Sequence, residues 1–231
     1  MDFSFITHQG LGKYTNNQDS IGHLELGDTK LFIVCDGVGG LPYGEQSSVC
    51  AVNNIINTFK SSSNLPSNNI LKNAFLKSNT EIRNLSATPS GTTVVAVILQ
   101  NNIAWCSWVG DSRIYHLKNQ KISWISKDHN VLYDLINKGN LYNNISLNPN
   151  ALTRYLGKNN HLQPDFHNLK LMKTDYLLLC SDGLSDFIDE SILINTIYNN
   201  SPKNATSILK EMLLSNRIQA PDNFSWYIIK V

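Results

Sequence analysis

The chain has 231 residues, of which 42% are hydrophobic and 16% are charged, and its formal net charge is +1. This is enough apolar material for one sizeable core, and β-rich domains of about 200 to 250 residues are common, so we expect a single domain over residues 1–231. The near-neutral charge, without a long run of either sign, argues against a nucleic-acid-binding surface, which needs a clustered basic face.

The sequence also argues against a membrane partner. The longest unbroken apolar stretch runs from Val94 to Leu99, which is far too short to span a bilayer. The N-terminus, Met1 to Ile6, lacks the basic region and apolar core of a signal peptide. We therefore expect a cytoplasmic protein, unless it is exported by a route that leaves no N-terminal signal. The four cysteines include no CxxC pair, so they are expected to be buried free thiols rather than zinc ligands.

Hydrophobic periodicity divides the chain into short strands and paired helices. Residues 45–60 and 70–85 repeat apolar side chains at helical spacing, whereas residues 31–35 and 176–180 are continuous apolar runs of strand length. In chain order the predicted elements are strands 4–9, 20–26 and 30–35, helices 45–60 and 70–85, strands 92–100, 103–109, 113–118 and 121–126, helix 130–138, an irregular segment 140–150, strands 169–172 and 176–180, helices 188–199 and 205–218, and strand 225–231. Adjacent helix pairs disfavour alternating βαβ units and predict an α+β fold, with antiparallel sheets and paired helices packed outside them.

Four aspartates stand at or beside the end of a short apolar segment: Asp36, Asp111, Asp182 and Asp222. The first three are next to a glycine, as expected where a buried strand ends in a tight turn. Carboxylate and backbone carbonyl oxygens are hard ligands that suit magnesium or manganese. A strand end holds a carboxylate rigidly, so several such ends facing one another would form a divalent-cation site.

The same residues suggest how ions could be shared. Asp36 could bridge two cations with its two oxygens, and the Gly37 carbonyl could join it. Asp182 and Asp222 would complete the coordination of one ion, while Asp19 would help to hold the second. We expect Gly37 to allow an unusual backbone angle and a close approach to an ion. Carboxylates packed so closely repel one another and retain protons unless cations neutralise them, so the metal-free protein should be less stable near neutral pH.

Such a site predicts phosphoryl chemistry. Two cations lower the pKa of a bridging water, make hydroxide available, and clamp the oxygens of a phosphoryl group during in-line attack. No serine or cysteine nucleophile is then required, which agrees with the absence of a GxSxG or CxxxxxR motif from the sequence.

The motifs occur in the order of a known family. They are Asn17-Gln18-Asp19-Ser20, Val34-Cys35-Asp36-Gly37-Val38-Gly39-Gly40, Ser90-Gly91-Thr92-Thr93, Gly110-Asp111-Ser112-Arg113, Lys127-Asp128-His129, Leu152-Thr153-Arg154-Tyr155-Leu156-Gly157, Ser181-Asp182-Gly183-Leu184-Ser185-Asp186 and Asp222-Asn223. Each motif alone is weak evidence for a family, but the set of motifs in this order is highly specific. From about Thr7 to Val231, the chain resembles the metal-dependent protein phosphatases, the protein phosphatase 2C family, in their compact bacterial form.

The resemblance implies a four-layer α-β-β-α sandwich of two central, mostly antiparallel sheets, with a site for two Mn²⁺ or Mg²⁺ ions at one end. It assigns Asp36, Asp182 and Asp222 to the first ion. It assigns Asp36, the Gly37 carbonyl and Asp19 to the second. Asp111 and Asp182 match positions that hold a third, weaker ion in bacterial members. The implied activity is hydrolysis of phosphoserine and phosphothreonine in proteins, by attack of a metal-bridging water or hydroxide, with Asp36 and Asp182 as catalytic residues.

Three positions depart from the family's pattern. Gln18 stands where a glutamate is frequent, so Asp19 must carry more of that metal site. The arginine that usually binds the substrate phosphate, five residues before Asp19, is replaced by Tyr14, and the neighbouring Lys13 could supply the charge as a point cation. Eukaryotic members have a histidine where Val38 stands, so the role of general acid is unfilled or passes to water.

The resemblance further implies bacterial signalling opposite a serine/threonine kinase, with phosphorylated proteins as partners of a monomer. His129 matches a segment near the family's flap, while Arg113 and Arg154 are expected to brace loops. Two alternatives remain open. One is a catalytically weak or inactive relative that binds phosphoproteins as a regulatory module. Gln18 and the missing arginine favour it, whereas the retained Asp36, Asp182 and Asp222 argue against it. The other is a phosphatase for small phosphoesters, which would need a tighter pocket.

Overall fold

The computed structural model describes residues 1–12, 16–62, 66–138 and 148–231. In chain order its elements are β1 (Asp2–His8), β2 (Asp19–Leu26), β3 (Thr29–Asp36), α1 (Gly44–Ser61), α2 (Ser67–Asn84), β4 (Val94–Gln100), β5 (Ile103–Val109), β6 (Arg113–Lys118), β7 (Lys121–Ile125), α3 (Val131–Lys138), β8 (Asp165–Lys170), β9 (Tyr176–Cys180), α4 (Asp182–Ser185), α5 (Glu190–Tyr198), α6 (Pro202–Leu214) and β10 (Phe224–Lys230).

The strands form two five-stranded sheets in which every neighbouring pair is antiparallel. The first sheet has the order β1-β10-β9-β6-β7, and the second has the order β2-β3-β4-β5-β8. Tight two-residue turns join several neighbours. Asn101 and Asn102, between β4 and β5, both have positive φ, as the hairpin prediction at this dipeptide requires.

Alternation of side chains along the central strands produces three apolar layers. On β4, Val95 and Val97 belong to the layer between the sheets, whereas Val94 belongs to the layer that α1 and α2 cover. On β9, Leu177 lies between the sheets and Leu178 lies in the layer that α5 and α6 cover. Because side chains point to opposite faces with a period of two, strands buried on both faces become continuous apolar runs. The predicted four-layer α-β-β-α sandwich is confirmed.

Several element boundaries differ from the sequence prediction. β8 begins at Asp165 rather than at residue 169, because it is an edge strand, paired only with β5, and its polar and partly exposed residues give a weak periodic signal. Helix α6 begins at Pro202 rather than at residue 205, since the Ser201 hydroxyl accepts a hydrogen bond from the Asn204 N–H at 3.3 Å and caps the helix.

The four-residue helix α4 was not predicted, because one turn is too short to show any periodicity. Most of the predicted irregular segment 140–150 lies outside the described residues, and so does Lys13. No helix of the described ranges combines the length and the apolar composition that crossing a bilayer requires.

Candidate active site

Five aspartates meet at one end of the sandwich because neighbouring strands begin or end there. Asp19 begins β2 and Asp36 ends β3, and the two residues are directly paired across the second sheet. Asp182 follows β9 as the first residue of α4, and Asp222 lies just before β10, the neighbour of β9 in the first sheet. Asp111 lies in the turn between β5 and β6, the turn by which the chain passes from one sheet to the other.

A cavity of about 420 Å³ opens at this end of the molecule. Asp36, Asp111, Asp182 and Asp222 lie on its wall together with Gly37. Asp19 does not line the cavity: it lies behind the wall, and only 6% of it is exposed. The structure therefore brings together every site residue predicted from the sequence except Lys13, which is not among the described residues.

The backbone of Asp36 is fixed by two adjacent threonines. Its carbonyl oxygen accepts hydrogen bonds from the Thr93 N–H and the Thr92 hydroxyl, both at 2.8 Å. Its own N–H donates to the Thr93 hydroxyl oxygen at 3.1 Å, and that hydroxyl lies 2.6 Å from the Ser112 hydroxyl. With these three hydrogen bonds, the backbone of Asp36 is satisfied, and its carboxylate faces the cavity, where it shares a hydrogen bond with Asp182.

Asp19 is oriented by a buried serine that connects the two sheets. The Ser181 hydroxyl donates to Asp19 Oδ2 at 2.8 Å and accepts the Ser225 N–H at 2.9 Å. Ser181 and Ser225 are both fully buried. Asp19 Oδ2 is therefore occupied by Ser181, whereas Asp19 Oδ1 is buried and has no hydrogen-bond partner among the described residues.

Two glycines allow the chain segments of the site to approach closely. A Cβ atom at Gly183 would lie 1.9 Å from the Asn223 carbonyl oxygen, so only glycine lets α4 touch the loop that carries Asp222. A Cβ atom at Gly37 would lie 2.5 Å from the Gly44 carbonyl carbon at the start of α1. The expectation of an unusual backbone angle at Gly37 is wrong, since its φ is not positive. This glycine is required by packing instead.

Burial and mutual repulsion raise the carboxyl pKa values of this group. Burial, with the charges of Asp182 and Asp222 added to it, raises the pKa of Asp19 to about 7, although the Ser181 hydrogen bond acts in the opposite direction. Burial and then the Asp182 charge raise the pKa of Asp111 to about 8. Burial and then the charges of Asp19 and Asp182 raise the pKa of Asp36 well above its ordinary range.

The pKa of Asp182 is raised less than those of Asp19 and Asp111. Burial and the Asp222 charge raise its pKa to about 6, while a hydrogen bond with the Asp36 side chain lowers it. Burial also raises the pKa of Asp222. Without cations, the raised pKa values of Asp19, Asp36 and Asp111 favour retention of protons near neutral pH, whereas Asp182 is mostly ionised there.

The donor set fits hard divalent cations. Asp19 Oδ1 and Asp182 Oδ1 are buried oxygens that accept no hydrogen bond within the described part of the chain, and an unpaired buried carboxylate oxygen is costly unless a cation or proton satisfies it. All the donors are carboxylate or carbonyl oxygens, the type that Mg²⁺ and Mn²⁺ prefer. Across residues 1–12, 16–62, 66–138 and 148–231, no three His, Cys, Asp or Glu side chains already form a metal-binding group. The structure thus presents four carboxylates on one cavity wall, with Asp19 behind it, rather than a preformed coordination shell.

The basic residues highlighted by the sequence brace the surrounding loops. Arg113 holds Asp128 through two nitrogens at 2.9 and 2.7 Å, and Arg154 donates to Asp165 Oδ1 at 2.8 Å. His129 is buried and accepts the Gly110 N–H on Nδ1 at 3.1 Å, which fixes the residue before Asp111. Burial lowers the pKa of His129 to about 4, so its ring is neutral and can accept this hydrogen bond.

Sequence reasoning missed the residues that position the aspartates. Ser181, Thr92 and Thr93 belong to the sequence motifs and Asn223 follows Asp222, but the motifs assign none of them a positioning role. The Asn223 side chain accepts the Gln18 N–H at 2.8 Å and donates to the Gln9 carbonyl at 2.5 Å, tying the N-terminal segment to the Asp222 loop. Small polar residues beside a predicted ligand are a usable signal, because metal ligands are commonly oriented by a second hydrogen bond.

The fold is a sandwich of two antiparallel sheets with a carboxylate-lined cavity at one end. The sequence profile of the protein phosphatase 2C family matches residues 9–217, and the chain belongs to this family. The family and the protein phosphatase interpretation predicted from the sequence are thereby confirmed.

Individual relatives agree with this assignment. The serine/threonine phosphatase stp of Listeria welshimeri is 29% identical over 204 residues, covering 83% of this chain and 81% of the relative. The protein phosphatase PhpP of Streptococcus pneumoniae is 28% identical over 214 residues, covering 87% and 86%. Among solved structures, the PPM Ser-Thr phosphatase MsPP from Mycobacterium smegmatis in complex with cacodylate superposes with a TM-score of 0.84 and 27% identity, covering 100% of this chain and 98% of that chain.

The raised carboxyl pKa values predict a specific pH dependence for the metal-free protein. These groups bind more protons when folded than when unfolded, so the free energy of unfolding should fall as pH rises through the folded pKa values, by about 1.4 kcal/mol per pH unit for each proton retained. The informative window is about pH 7.5 to about pH 8.5, because His129, which acts in the opposite sense, is then neutral in the folded state and largely neutral in the unfolded state.

The measurement is thermal unfolding over this window with chelator and with Mn²⁺. We expect the melting temperature to fall with pH in chelator, and to do so much less when Mn²⁺ is present. Asp36→Asn should flatten the slope, whereas Asp28→Asn at an exposed turn should leave it unchanged. A melting temperature that rises with pH in chelator would contradict this account.

Ser181→Ala should weaken cation binding more than it weakens the fold. The change removes the donor to Asp19 Oδ2 and leaves the Ser225 N–H unpaired, which costs about 1–3 kcal/mol of stability. Loss of such an orienting partner lowers metal affinity by about 10- to 100-fold. Titration calorimetry with Mn²⁺ measures the affinity. Ser78→Ala is the matched control, because it also removes a fully buried hydroxyl, bonded to the Ala74 carbonyl far from the site. Equal affinities of the two variants for Mn²⁺ would rule out the role of Ser181.

Proposed function

We propose that this chain is a Mn²⁺- or Mg²⁺-dependent protein phosphatase that removes phosphate from phosphoserine and phosphothreonine in proteins, and that residues 1–231 act as one catalytic domain. The observation that carries the proposal is the convergence of Asp36, Asp111, Asp182 and Asp222 on one cavity, with Asp19 directly behind them. Membership of the protein phosphatase 2C family supports the same activity.

The ligand assignment follows from the placement of the side chains. Asp36 is in contact with aspartates from both sheets. Asp19 is paired with it in the second sheet, and Asp182, which follows β9 of the first sheet, shares a hydrogen bond with its side chain. We propose that Asp36, Asp182 and Asp222 hold one ion and that Asp36, the Gly37 carbonyl and Asp19 hold the other.

A third and weaker ion would use Asp111 and Asp182. When bound, the ions supply positive charge that lowers the pKa of a water between them and offsets the charge of the phosphoryl oxygens.

The remaining protein groups prepare the site for this chemistry. Thr92 and Thr93 hold the Asp36 backbone, and Ser181 turns Asp19 so that Oδ1 is free. The Asp222 carboxylate accepts the Asn223 N–H at 2.8 Å through Oδ1, which leaves Oδ2 for a ligand. Pre-oriented groups need no rearrangement when charge develops on the phosphoryl oxygens, which is how fixed dipoles and charges lower an activation barrier.

The substrate phosphate needs a positive charge that the described cavity wall does not provide. Among the described residues lining the cavity there is no lysine or arginine. Arg113 lies nearby but is paired with Asp128. Lys13 precedes the Asp19 motif and follows Gly12, whose Cβ position lies 1.8 Å from the Pro221 carbonyl oxygen, next to Asp222. We therefore propose that Lys13 binds the substrate phosphate as a point cation.

Neither alternative has a structural observation in its favour. A regulatory module without catalysis would not need Asp36, Asp182 and Asp222, yet all three line the cavity. The cavity wall also carries the apolar side chains of Val38, Leu41 and Leu152, and a site of about 420 Å³ admits more than a small phosphoester. Val38 has no proton to give, so we propose that the leaving group takes its proton from water.

The mechanism is tested with a phosphothreonine peptide, Mn²⁺ and the Asp36→Asn variant. Removing the shared carboxylate should lower kcat by more than about 100-fold, beyond the usual effect of losing an outer partner of a metal ligand. Chelator should abolish turnover by the wild type, whereas Asp28→Asn, at an exposed turn, should behave as wild type.

Two outcomes would count against the proposal. Turnover that survives both the chelator and Asp36→Asn would exclude the two-ion mechanism. A wild type that binds Mn²⁺ and the phosphopeptide but shows no turnover would favour the regulatory module.

Lys13→Ala should raise KM for the phosphopeptide with a smaller effect on kcat, because a phosphate-binding cation contributes mainly to substrate binding. Lys13→Arg should restore KM at least in part, since arginine retains the charge. Lys77→Ala, which removes an exposed lysine on α2, is the matched control. An unchanged KM in Lys13→Ala would mean that Lys13 is an ordinary solvated lysine and does not bind the substrate phosphate.

A further inference from the structure

Gly110, the residue before Asp111, is held through both of its backbone polar groups by one histidine. The His129 N–H donates to the Gly110 carbonyl oxygen at 3.0 Å, and the Gly110 N–H donates to the His129 ring at Nδ1 at 3.1 Å. The φ of Gly110 is +113°, a backbone conformation that is accessible mainly to glycine. The loop between β7 and α3, which carries His129, therefore supports the turn that carries Asp111.

The contacts of the His129 ring define its tautomer. Nδ1 accepts a hydrogen bond and so carries no proton, which places the proton of the neutral ring on Nε2. Nε2 lies 3.4 Å from Asp165 Oδ2, a contact longer than a well-formed hydrogen bond, while Asp165 Oδ1 accepts a hydrogen bond from Arg154 at 2.8 Å. A carboxylate opposite Nε2 favours the tautomer in which Nδ1 is free to accept.

The position of the His129 ring is itself well determined. The ring is buried, and it stacks on Trp108 with the ring centroids 6.3 Å apart and the planes at 23°. The Trp108 Nε1–H donates to the Lys127 carbonyl oxygen at 2.8 Å, and the His129 carbonyl oxygen accepts the Thr153 N–H at 2.8 Å. The ring is thus a rigid support rather than a solvated side chain.

Asp111 is anchored through its two neighbours along the chain. His129 holds Gly110 on one side. On the other side, the Ser112 hydroxyl lies 2.6 Å from the Thr93 hydroxyl, which also bonds the backbone of Asp36. These contacts set where the Asp111 carboxylate lies relative to the other aspartates of the cavity. An ion shared by two carboxylates is sensitive to that placement, because Mg²⁺ needs oxygens at about 2.0–2.1 Å in a nearly octahedral arrangement.

We propose that His129 is a positioning residue for the third, weaker ion. By holding Gly110 it keeps Asp111 where Asp111 and Asp182 can share a cation, although His129 itself contacts neither the ion nor the substrate. The inference deepens the proposed function and rests on it, because the third ion is assigned there. It adds a residue outside the coordinating groups that sets how tightly this ion is bound.

The test counts the Mn²⁺ ions bound by the full chain from the electron paramagnetic resonance signal of free Mn²⁺, so it needs no turnover. Asp111→Asn should remove the weak site and leave two tighter ions. His129→Phe retains a ring that can stack on Trp108 but has no acceptor for the Gly110 N–H. It should lower the affinity of the weak site by about 10- to 100-fold, the usual effect of losing an outer partner of a metal ligand, and leave the tighter ions unchanged.

A double-mutant comparison shows whether His129 acts through Asp111. In the Asp111→Asn background, His129→Phe should have no further effect on Mn²⁺ binding, because residues that act as one unit are not additive. His129→Asn should restore most of the weak-site affinity, since the asparagine Oδ1 can take the place of Nδ1 as an acceptor.

His116→Phe is the matched control. His116 is also buried beside an aspartate, with Nε2 2.9 Å from Asp175 Oδ2, but this pair lies at the opposite end of β9 from Asp182. The control should leave all Mn²⁺ affinities unchanged. Nitrogen NMR of the labelled wild type gives a measurement that does not depend on whether a variant folds: His129 Nδ1 should be unprotonated and Nε2 protonated.

The outcomes separate this inference from the proposed function. A weak-site loss in His129→Phe that His129→Asn restores, and that disappears in the Asp111→Asn background, supports the inference even if the wild type hydrolyses no phosphopeptide. In that case only the proposed function fails. An unchanged weak site in His129→Phe, an equal loss in His116→Phe, no recovery in His129→Asn, or a proton on Nδ1 would overturn the inference. So would a wild type that turns over phosphopeptide but binds only two ions, and the proposed function would then survive.

Discussion

The structure depends on one constraint: five carboxyl groups gathered at the junction of two sheets, where burial and mutual repulsion both oppose their ionisation. Burial and the neighbouring charges raise the pKa of Asp19, Asp36 and Asp111 well above the ordinary range of aspartate. Such a group is stable only when it is protonated or bound to cations. Gathering these carboxyl groups lowers the free energy of unfolding of the metal-free protein. We infer that the arrangement is kept because it provides a divalent-cation site.

The rest of the sandwich makes that arrangement possible. The two central sheets have strands buried on both faces, which gives the end of the molecule a rigid base. The segments that carry the aspartates are then fixed by hydrogen bonds or by close packing. Thr92 and Thr93 hold Asp36, Ser181 joins Asp19 to the first sheet, and Gly183 lets α4 contact the Asp222 loop. Stability elsewhere in the core thus supports the unfavourable charges at the site.

The sequence predicted the central strands and the aspartates at their ends better than the parts that orient these aspartates. Buried strands such as β4 and β9 show as continuous apolar runs, and aspartates at their ends are visible without a structure. The edge strand β8 and the single turn α4 have too little periodicity to be found. The Ser181 bridge joins residues 162 positions apart, and the packing that requires Gly37 arises between distant backbones, so neither has a local signal.

The most direct measurement is a crystal structure of the protein grown with Mn²⁺, with the ions located by anomalous scattering. The account predicts strong peaks in the carboxylate cavity, one bounded by Asp36, Asp182 and Asp222 and one reached by Asp36, the Gly37 carbonyl and Asp19. Asp36 should be a ligand of both. An absence of any peak within coordination distance of Asp36 at saturating Mn²⁺, or peaks found only elsewhere on the molecule, would contradict the central claim.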